Sequence, residues 1–405
     1  MPPSKKKAID QGSEVSVTED FTADLIASLN KEQGHRVAYN LASDQSPTHV
    51  KRWISTGSRL LDYIVSNKRG GGLPEGRIVE IFGPPSIGKS HIATHIAKST
   101  QRMGGIVVYI DTENATNPEN LQALGVDISK RFVYVDTHCT EEVFDIAEKT
   151  ILKAKAMQKD IPITIIWDSV AASSPKAELE GEYDKDTIGL QARVLSKGMR
   201  KITGVIGDQS VLFICLNQVR TKVGVMYGDP TVTPGGNAIP FHSSVRIKLG
   251  AGSQIENDKK EIIGINVSAK TVKNKVGPPF RTCNFQIHFG KGIVEHEEIF
   301  DILRAHGEET VSGHRVSCSG EGAWKKLDVI DPSGKPIIEK KFYKSDFNEI
   351  LANKEYSRWI DTLLERAMVK LAVKAEDIEI DPDSYEDVRS VASLIAGDNE
   401  FVSPE

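Results

Sequence analysis

Gly83-Pro84-Pro85-Ser86-Ile87-Gly88-Lys89-Ser90 is the stretch from which the fold can be read. It has the spacing GxxxxGK[ST], follows the apolar run Arg77-Ile78-Val79-Glu80-Ile81-Phe82 and opens a helical pattern. Such a loop wraps backbone N–H groups around phosphates while the next helix points its positive end at the anion. Lys89 is then the residue that reaches the β and γ oxygens, and Ser90 the one that takes magnesium. Pro85 is unusual here because it removes one N–H from the cradle.

Outward from the loop, residues 51 to about 300 alternate strand and helix patterns, as a largely parallel sheet flanked by helices requires. The strands are apolar and end in polar residues. Ile106-Val107-Val108-Tyr109-Ile110 runs into Asp111-Thr112-Glu113, Ile163-Thr164-Ile165-Ile166-Trp167 into Asp168, and Val211-Leu212-Phe213-Ile214-Cys215-Leu216 into Asn217-Gln218. Ligands of open α/β sheets bind beyond the carboxyl ends of the strands, so these ends converge on one site. Asp168 suits a second magnesium anchor, and Glu113 suits the base that orients an attacking water. Gln218 is positioned to bond a γ-phosphate and to report its loss to the chain that follows.

Bulk properties bound the partners. No run of about 18 apolar residues is present, which indicates neither a membrane nor a secretory role. Cys139, Cys215, Cys283 and Cys318 lie far apart with no CxxC pair, so a zinc site or disulfide framework is not suggested and a reduced cytoplasm is expected. The net charge of −5 conceals an uneven distribution: residues 376–405 hold ten acidic side chains against Arg389 alone, and the rest carries +4. That acidic tail reads either as a solubilising end or as a competitor for a nucleic-acid site.

The ends differ from the middle. Residues 1–18, with Ser4-Lys5-Lys6-Lys7, read as disordered. A helix is expected from Asp20, with Phe21, Leu25, Ile26 and Leu29 on one stripe and Gly34 as its stop, then a β-prone piece, Arg36–Leu41. The division expected is an arm over 1–50, an ATPase-like core over 51–308, a small α+β unit over 309–375 and the tail over 376–405. The small unit carries a turn at Asp331-Pro332-Ser333-Gly334 and an amphipathic helix around Ser357–Leu371.

The segment beyond Asp168 makes a resemblance specific. Asp168-Ser169-Val170-Ala171-Ala172, Pro175-Lys176-Ala177-Glu178, Glu180-Gly181-Glu182, Gly189-Leu190, Ala192-Arg193, Asn217-Gln218-Val219-Arg220, Gly224-Val225-Met226, Gly235-Gly236-Asn237-Ala238 and Val272-Lys273-Asn274-Lys275 resemble the RecA recombinases. So does Ile54-Ser55-Thr56-Gly57-Ser58, and the likeness spans about residues 51–308. It implies a RecA-type ATP-dependent enzyme, with Mg2+, that polymerises as a helical homo-oligomer on single-stranded DNA and pairs it with homologous double-stranded DNA. Recombination and DNA repair, single-strand-binding and mediator proteins as further partners, and a cytoplasmic, nucleoid-associated location follow from the same resemblance.

Residue by residue, it implies that 180–189 and 219–236 are the loops that hold single-stranded DNA. Arg193, Ser196, Arg200, Arg220 and Lys222 would meet phosphates together with the N–H groups of Gly235, Gly236 and Asn237, while Ile188 and Val223 would wedge between bases. Lys273 and Lys275 would reach a neighbouring subunit's ATP, Phe241 would be an interface aromatic, and Val37–Leu41 would add as a strand to the next subunit. There are departures. Asn120 stands where the family places an aromatic ring on adenine, Pro240 replaces a lysine, and Gly250 and Ala251 replace basic residues of a second DNA site; Lys248, Lys259, Lys260 and Lys270 are the candidates to supply that charge. Asp328–Lys341 is more reminiscent of bacteriophage recombinases, which would put the protein in a host cytoplasm. The readings that compete are a helicase-type motor on the same fold, sharing Lys89, Asp168 and Glu113, and a non-catalytic filament regulator.

Overall fold

Alternation along each central strand splits its side chains between two faces. In Leu212–Gln218, Leu212, Ile214 and Leu216 enter one apolar core while Phe213 and Cys215 enter the other. A strand buried on both faces needs helices on both faces, and this one has them. Arg59–Ser66 and Lys89–Arg102 pack on the first face, and Thr140–Met157 and Leu190–Asp208 on the second. The computed structural model describes residues 20–41, 46, 48–182, 189–221, 231–320 and 322–368.

Nine strands of these residues form the main sheet, in the order Gly292–Val294, Thr282–His288, Ile262–Asn274, Val245–Glu256, Ile78–Gly83, Leu212–Gln218, Ile163–Asp168, Ile106–Asp111 and Phe132–Asp136. From Val245–Glu256 to Phe132–Asp136 every neighbouring pair is parallel, and the first three strands run antiparallel. The expected α/β class and mostly parallel sheet are therefore present. Beyond it lies an antiparallel four-stranded sheet, Glu309–Val311, His314–Ser319, Trp324–Ile330 and Pro336–Tyr343, covered by helices Phe347–Ala352 and Lys354–Met368. Apolar packing is continuous across residue 308: Phe300, Leu327, Phe347 and Leu364 belong to the same core as Ile81 and Ile96. The turn after Ile330 forms around Asp331, whose Oδ1 accepts from Ser333 N, Ser333 Oγ and Lys335 N at 2.6–2.9 Å.

The N-terminal helix spans Asp20–Gln33 and Gly34 follows at φ +70°. Among the described residues its stripe is largely uncovered: Phe21 is 61% exposed and Leu25 49%, and Ile26 is half-buried. Arg36–Leu41, expected as β-prone, makes no strand here, because a strand requires a paired edge and the local backbone is satisfied otherwise. Asn30 Oδ1 accepts from Val37 N at 2.7 Å and Ala38 N at 2.8 Å, and Asn30 Nδ2 donates to Ala38 O. Residues 1–19, the acidic tail 376–405, and Ile188, Lys222 and Val223 lie outside the described residues. Among the described residues no helix is long and apolar enough to cross a membrane.

Candidate functional site

The carboxyl ends of four adjacent parallel strands bring the polar residues together. Ile78–Gly83 delivers the loop Gly83-Pro84-Pro85-Ser86-Ile87-Gly88, and Lys89 starts the helix behind it. Gly88 caps that helix at φ +94°, where a Cβ would also stand 2.2 Å from Ile287 Cδ1. Gly83 is equally confined, with Leu249 O 2.6 Å from a built Cβ. Lys89 Nζ donates to Gly83 O at 3.1 Å and Pro84 O at 2.7 Å, which holds the ammonium at the loop. Burial pulls this lysine below its ordinary range, against the opposing pull of Asp168 and Glu113.

Ser90 Oγ donates to Asp168 Oδ2 at 2.9 Å, and Tyr109 Oη donates to the same oxygen at 2.6 Å. Burial raises the Asp168 carboxyl, countered by those two hydrogen bonds. A hydroxyl and a carboxylate side by side are the hard oxygen donors that a magnesium ion takes. Across the cleft, Glu113 Oε1 accepts from Gln218 Nε2 at 3.2 Å and from Ser169 Oγ. The Glu113 N–H donates to Asp111 Oδ1 at 2.9 Å. Asp111 is held below its ordinary range: burial raises it, but donors from Thr116, Glu113 and Tyr134 outweigh that. Lys89, Ser90, Glu113, Asp168 and Gln218 thus line one cleft of about 420 Å³, walled on the other side by Ile265, Ile287 and Phe289.

Sequence reasoning missed Tyr109, Ser169 and those wall residues. Tyr109 sits in a run read as apolar, and only its pairing level beside Ile166, two residues short of Asp168, brings its hydroxyl to the carboxylate. Asn120 lies exposed on the short helix Pro118–Ala123 and lines a smaller cavity of about 130 Å³ that shares Ser90, Glu113 and Asp168 with the cleft.

The residues proposed for DNA form a second group downstream of Asp168 and Gln218. Arg193, Ser196 and Arg200 ride on Leu190–Asp208, with Arg193 and Arg200 exposed. Gly235 and Gly236, both at positive φ, press against that helix: a Cβ on Gly235 would meet Leu195 Cδ1 at 2.4 Å, and one on Gly236 would meet Ala192 Cβ at 3.2 Å. Asn237 is exposed at the start of Ala238–His242. Arg220 is exposed and pairs with Val232, which closes the base of the loop between them. Asn217 Nδ2 ties that loop to the sheet through Pro234 O at 3.3 Å and Glu80 Oε1 at 3.1 Å. Glu80 also pairs with Arg246 at 2.5 Å. Along the hairpin Val245–Glu256 and Ile262–Asn274, Lys248 faces Lys270 directly, whereas Lys259 and Lys260 lie at its turn.

Lys273 and Lys275 are not part of the cleft. Lys273 pairs with Arg246, and Lys275 N donates to Ser244 O, whose own N–H reaches Ile78 O. Lys273 is level with Glu80, about 10 Å from the loop along the strand, and Lys275 with Ile78, about 16 Å from it, at roughly 3.3 Å per residue. Lys273 Nζ donates to Pro240 O at 2.7 Å and Phe241 O at 3.0 Å, while Lys275 is exposed. Phe241 is 74% exposed and Val37 47%.

A family model described as the RecA N-terminal domain matches residues 22–294. The chain is 44% identical to the protein RecA of Ruminococcus albus over 350 residues, covering 85% of each chain. It is 40% identical to the protein RecA of Symbiobacterium thermophilum over 74% of this chain and 79% of that one. With the protein RecA of Chlorobaculum tepidum it shares 42% identity over 71% of this chain and 80% of the relative.

Proposed function

The chain belongs to the RecA family, and from that premise we propose that it is a DNA-dependent ATPase that polymerises on single-stranded DNA and drives strand exchange with homologous duplex. The observation that carries this reading is the shared anchoring of two sites. Asp168 and Gln218 end strands at the nucleotide cleft, and the segments leaving those strands carry Arg193, Ser196, Arg200, Arg220 and Gly235-Gly236-Asn237. A change at Gln218 is therefore one residue from the loop 219–236 that would face DNA.

In this reading the N–H groups of Gly83–Gly88 and Lys89 bind the phosphates of ATP, and Ser90 with Asp168 would hold magnesium, which supplies charge neutralisation between the phosphates. Glu113 takes a proton from the attacking water. The donors from Ser169 and Gln218 hold its carboxylate in place, and the Asp111 bond holds its backbone. Gln218 connects Glu113 to the start of the second DNA loop, so its amide senses the γ-phosphate and shifts that loop. Lys273 and Lys275, with Phe241, act across the subunit boundary, the exposed strand-forming residues Val37–Leu41 join the next subunit, and the four lysines of the hairpin hold duplex. Residues 51–308 serve as the ATPase core and 309–375 as a smaller appended unit.

The test is electron microscopy of the protein with single-stranded DNA and a non-hydrolysable ATP analogue, beside a strand-exchange assay. An extended helical filament and exchanged products are expected. Closed rings, or unwinding of a forked duplex without exchange, would replace the reading by a motor.

A further inference from the structure

A second cationic cavity, of about 620 Å³, shares no lining residue with the nucleotide cleft. Its lining draws on three separate segments: the start of the core at Trp53–Gly71, the second half of helix Lys89–Arg102 from His95 on, and Asp361 on helix Lys354–Met368. Five cations border it, Arg59, Lys68, Arg69, Lys98 and Arg102. One carboxylate serves two of them: Asp361 pairs with Arg59 at 2.8 Å and with Arg69 at 3.3 Å. The other acid in the wall, Asp62, spends its oxygens on Ser55 Oγ, Thr56 N and Thr56 Oγ1 at 2.6–2.8 Å. Burial raises that carboxyl to about 7, which reduces the charge it offers the cations.

The remaining three cations have no acidic partner among the described residues. Lys68 Nζ rests over the Trp53 ring, 4.2 Å from its centroid. Lys98 Nζ donates to Leu124 O at 2.8 Å. Burial depresses both lysines, and Arg102 adds to the effect at Lys98. Positive charge gathered in a concave, partly dry site costs free energy that an anion recovers. The loop Asn67-Lys68-Arg69-Gly70-Gly71-Gly72 is shaped for close approach. A Cβ at Gly71 would stand 1.7 Å from Ser66 Oγ, and one at Gly72 would stand 2.4 Å from Ile54 O. Only glycine fits there, and the thin loop turns Lys68 and Arg69 onto the cavity.

We propose that this cavity is a binding site for an oligophosphate anion, gripped by Lys68, Lys98 and Arg102 and competing with Asp361 for Arg59 and Arg69. Several cations spread around 620 Å³ suit an extended multiply charged group better than a single carboxylate. Because Asp361 belongs to the C-terminal helix, the ligand weakens the ion pairs between that helix and the core. On helix Lys89–Arg102 the cations Lys98 and Arg102 stand about 14 and 20 Å from Lys89 at 1.5 Å per residue, and the cavity shares no lining residue with the nucleotide cleft, so the two are separate.

The full-length chain is first saturated with magnesium and a non-hydrolysable ATP analogue. Inorganic tripolyphosphate, and in a parallel arm GTP, is then titrated by calorimetry at constant free magnesium and low salt. One additional site is expected. Lys68→Ala with Arg102→Ala should weaken it at least tenfold, and Asp361→Asn should tighten it, with unchanged circular dichroism in each. Equal affinities in the two arms identify free oligophosphate as the source, and tighter GTP binding identifies a nucleotide. The proposal is overturned by the absence of a second site, by equal affinity in the parent and the double variant, or by loss of only DNA binding in that variant. Absence of the second site leaves the filament reading standing, whereas filaments lost with the second site intact would count against that reading alone.

Discussion

Glu113 is the residue proposed to activate the attacking water, and its geometry separates binding from chemistry. Its carboxylate touches Ser169 and Gln218 and not Lys89, so Glu113→Gln should leave affinity for an ATP analogue within about threefold while turnover falls by roughly 10²–10⁴. An equilibrium titration beside a single-turnover assay checks this, and a variant turning over at the parent rate would remove Glu113 from the chemistry. His95 tests a different property. Its Nε2 accepts from Ile293 N at 3.2 Å, and burial, with Lys98, His91 and Arg102 nearby, lowers it to about 4. Because the folded state binds this proton less readily than the unfolded chain, His95 stability is full above about 6.5 and is lost as pH falls toward 4. His95→Gln should therefore shrink the difference in melting temperature between pH 7.5 and pH 5; an unaltered difference would mean that the imidazole titrates freely.

Helix Asp20–Gln33 illustrates at the scale of elements how a pattern can be legible while its purpose is not. Phe21, Leu25, Ile26 and Leu29 repeat at helical spacing, and the helix forms, yet Phe21, Leu25 and Leu29 remain exposed. Exposed apolar side chains such as Phe21 and Leu25 add little to the stability of the described fold, and their burial energy is available to a second copy. Phe21→Ser with Leu25→Ser should consequently leave the melting temperature of the monomer unchanged within about two degrees while filaments on single-stranded DNA disappear. A melting temperature lowered with the filaments would instead make the stripe part of the fold. The adjoining Arg36–Leu41 has β-prone residues but no strand, since no edge among the described residues pairs with it.

For the whole molecule the question is whether ATP is sensed between subunits, and the sheet register bears on it. Lys275 lies level with the start of Ile78–Gly83, at the opposite end from the phosphate loop, and Lys273 lies mid-strand with its Nζ turned to Pro240 O and Phe241 O. In the proposed filament, Lys275→Ala should bind ATP but not hydrolyse it, and mixing it with Glu113→Gln, each inactive alone, should restore part of the activity. Background activity at every ratio, with mixed filaments visible, would rule out action in trans. The sequence by itself determined the phosphate loop, the strand ends bearing Glu113, Asp168 and Gln218, and the α/β class, because each of these is a local pattern: glycine spacing, an apolar run, a polar terminus. Tertiary structure alone decided that Tyr109 meets Asp168, that Lys273 and Lys275 sit far from Lys89, and that Trp53, Lys68, Arg102 and Asp361 enclose one cavity. Those depend on which strands become neighbours and in what register, and pairing energy is shared among residues hundreds of positions apart, where no local pattern records it.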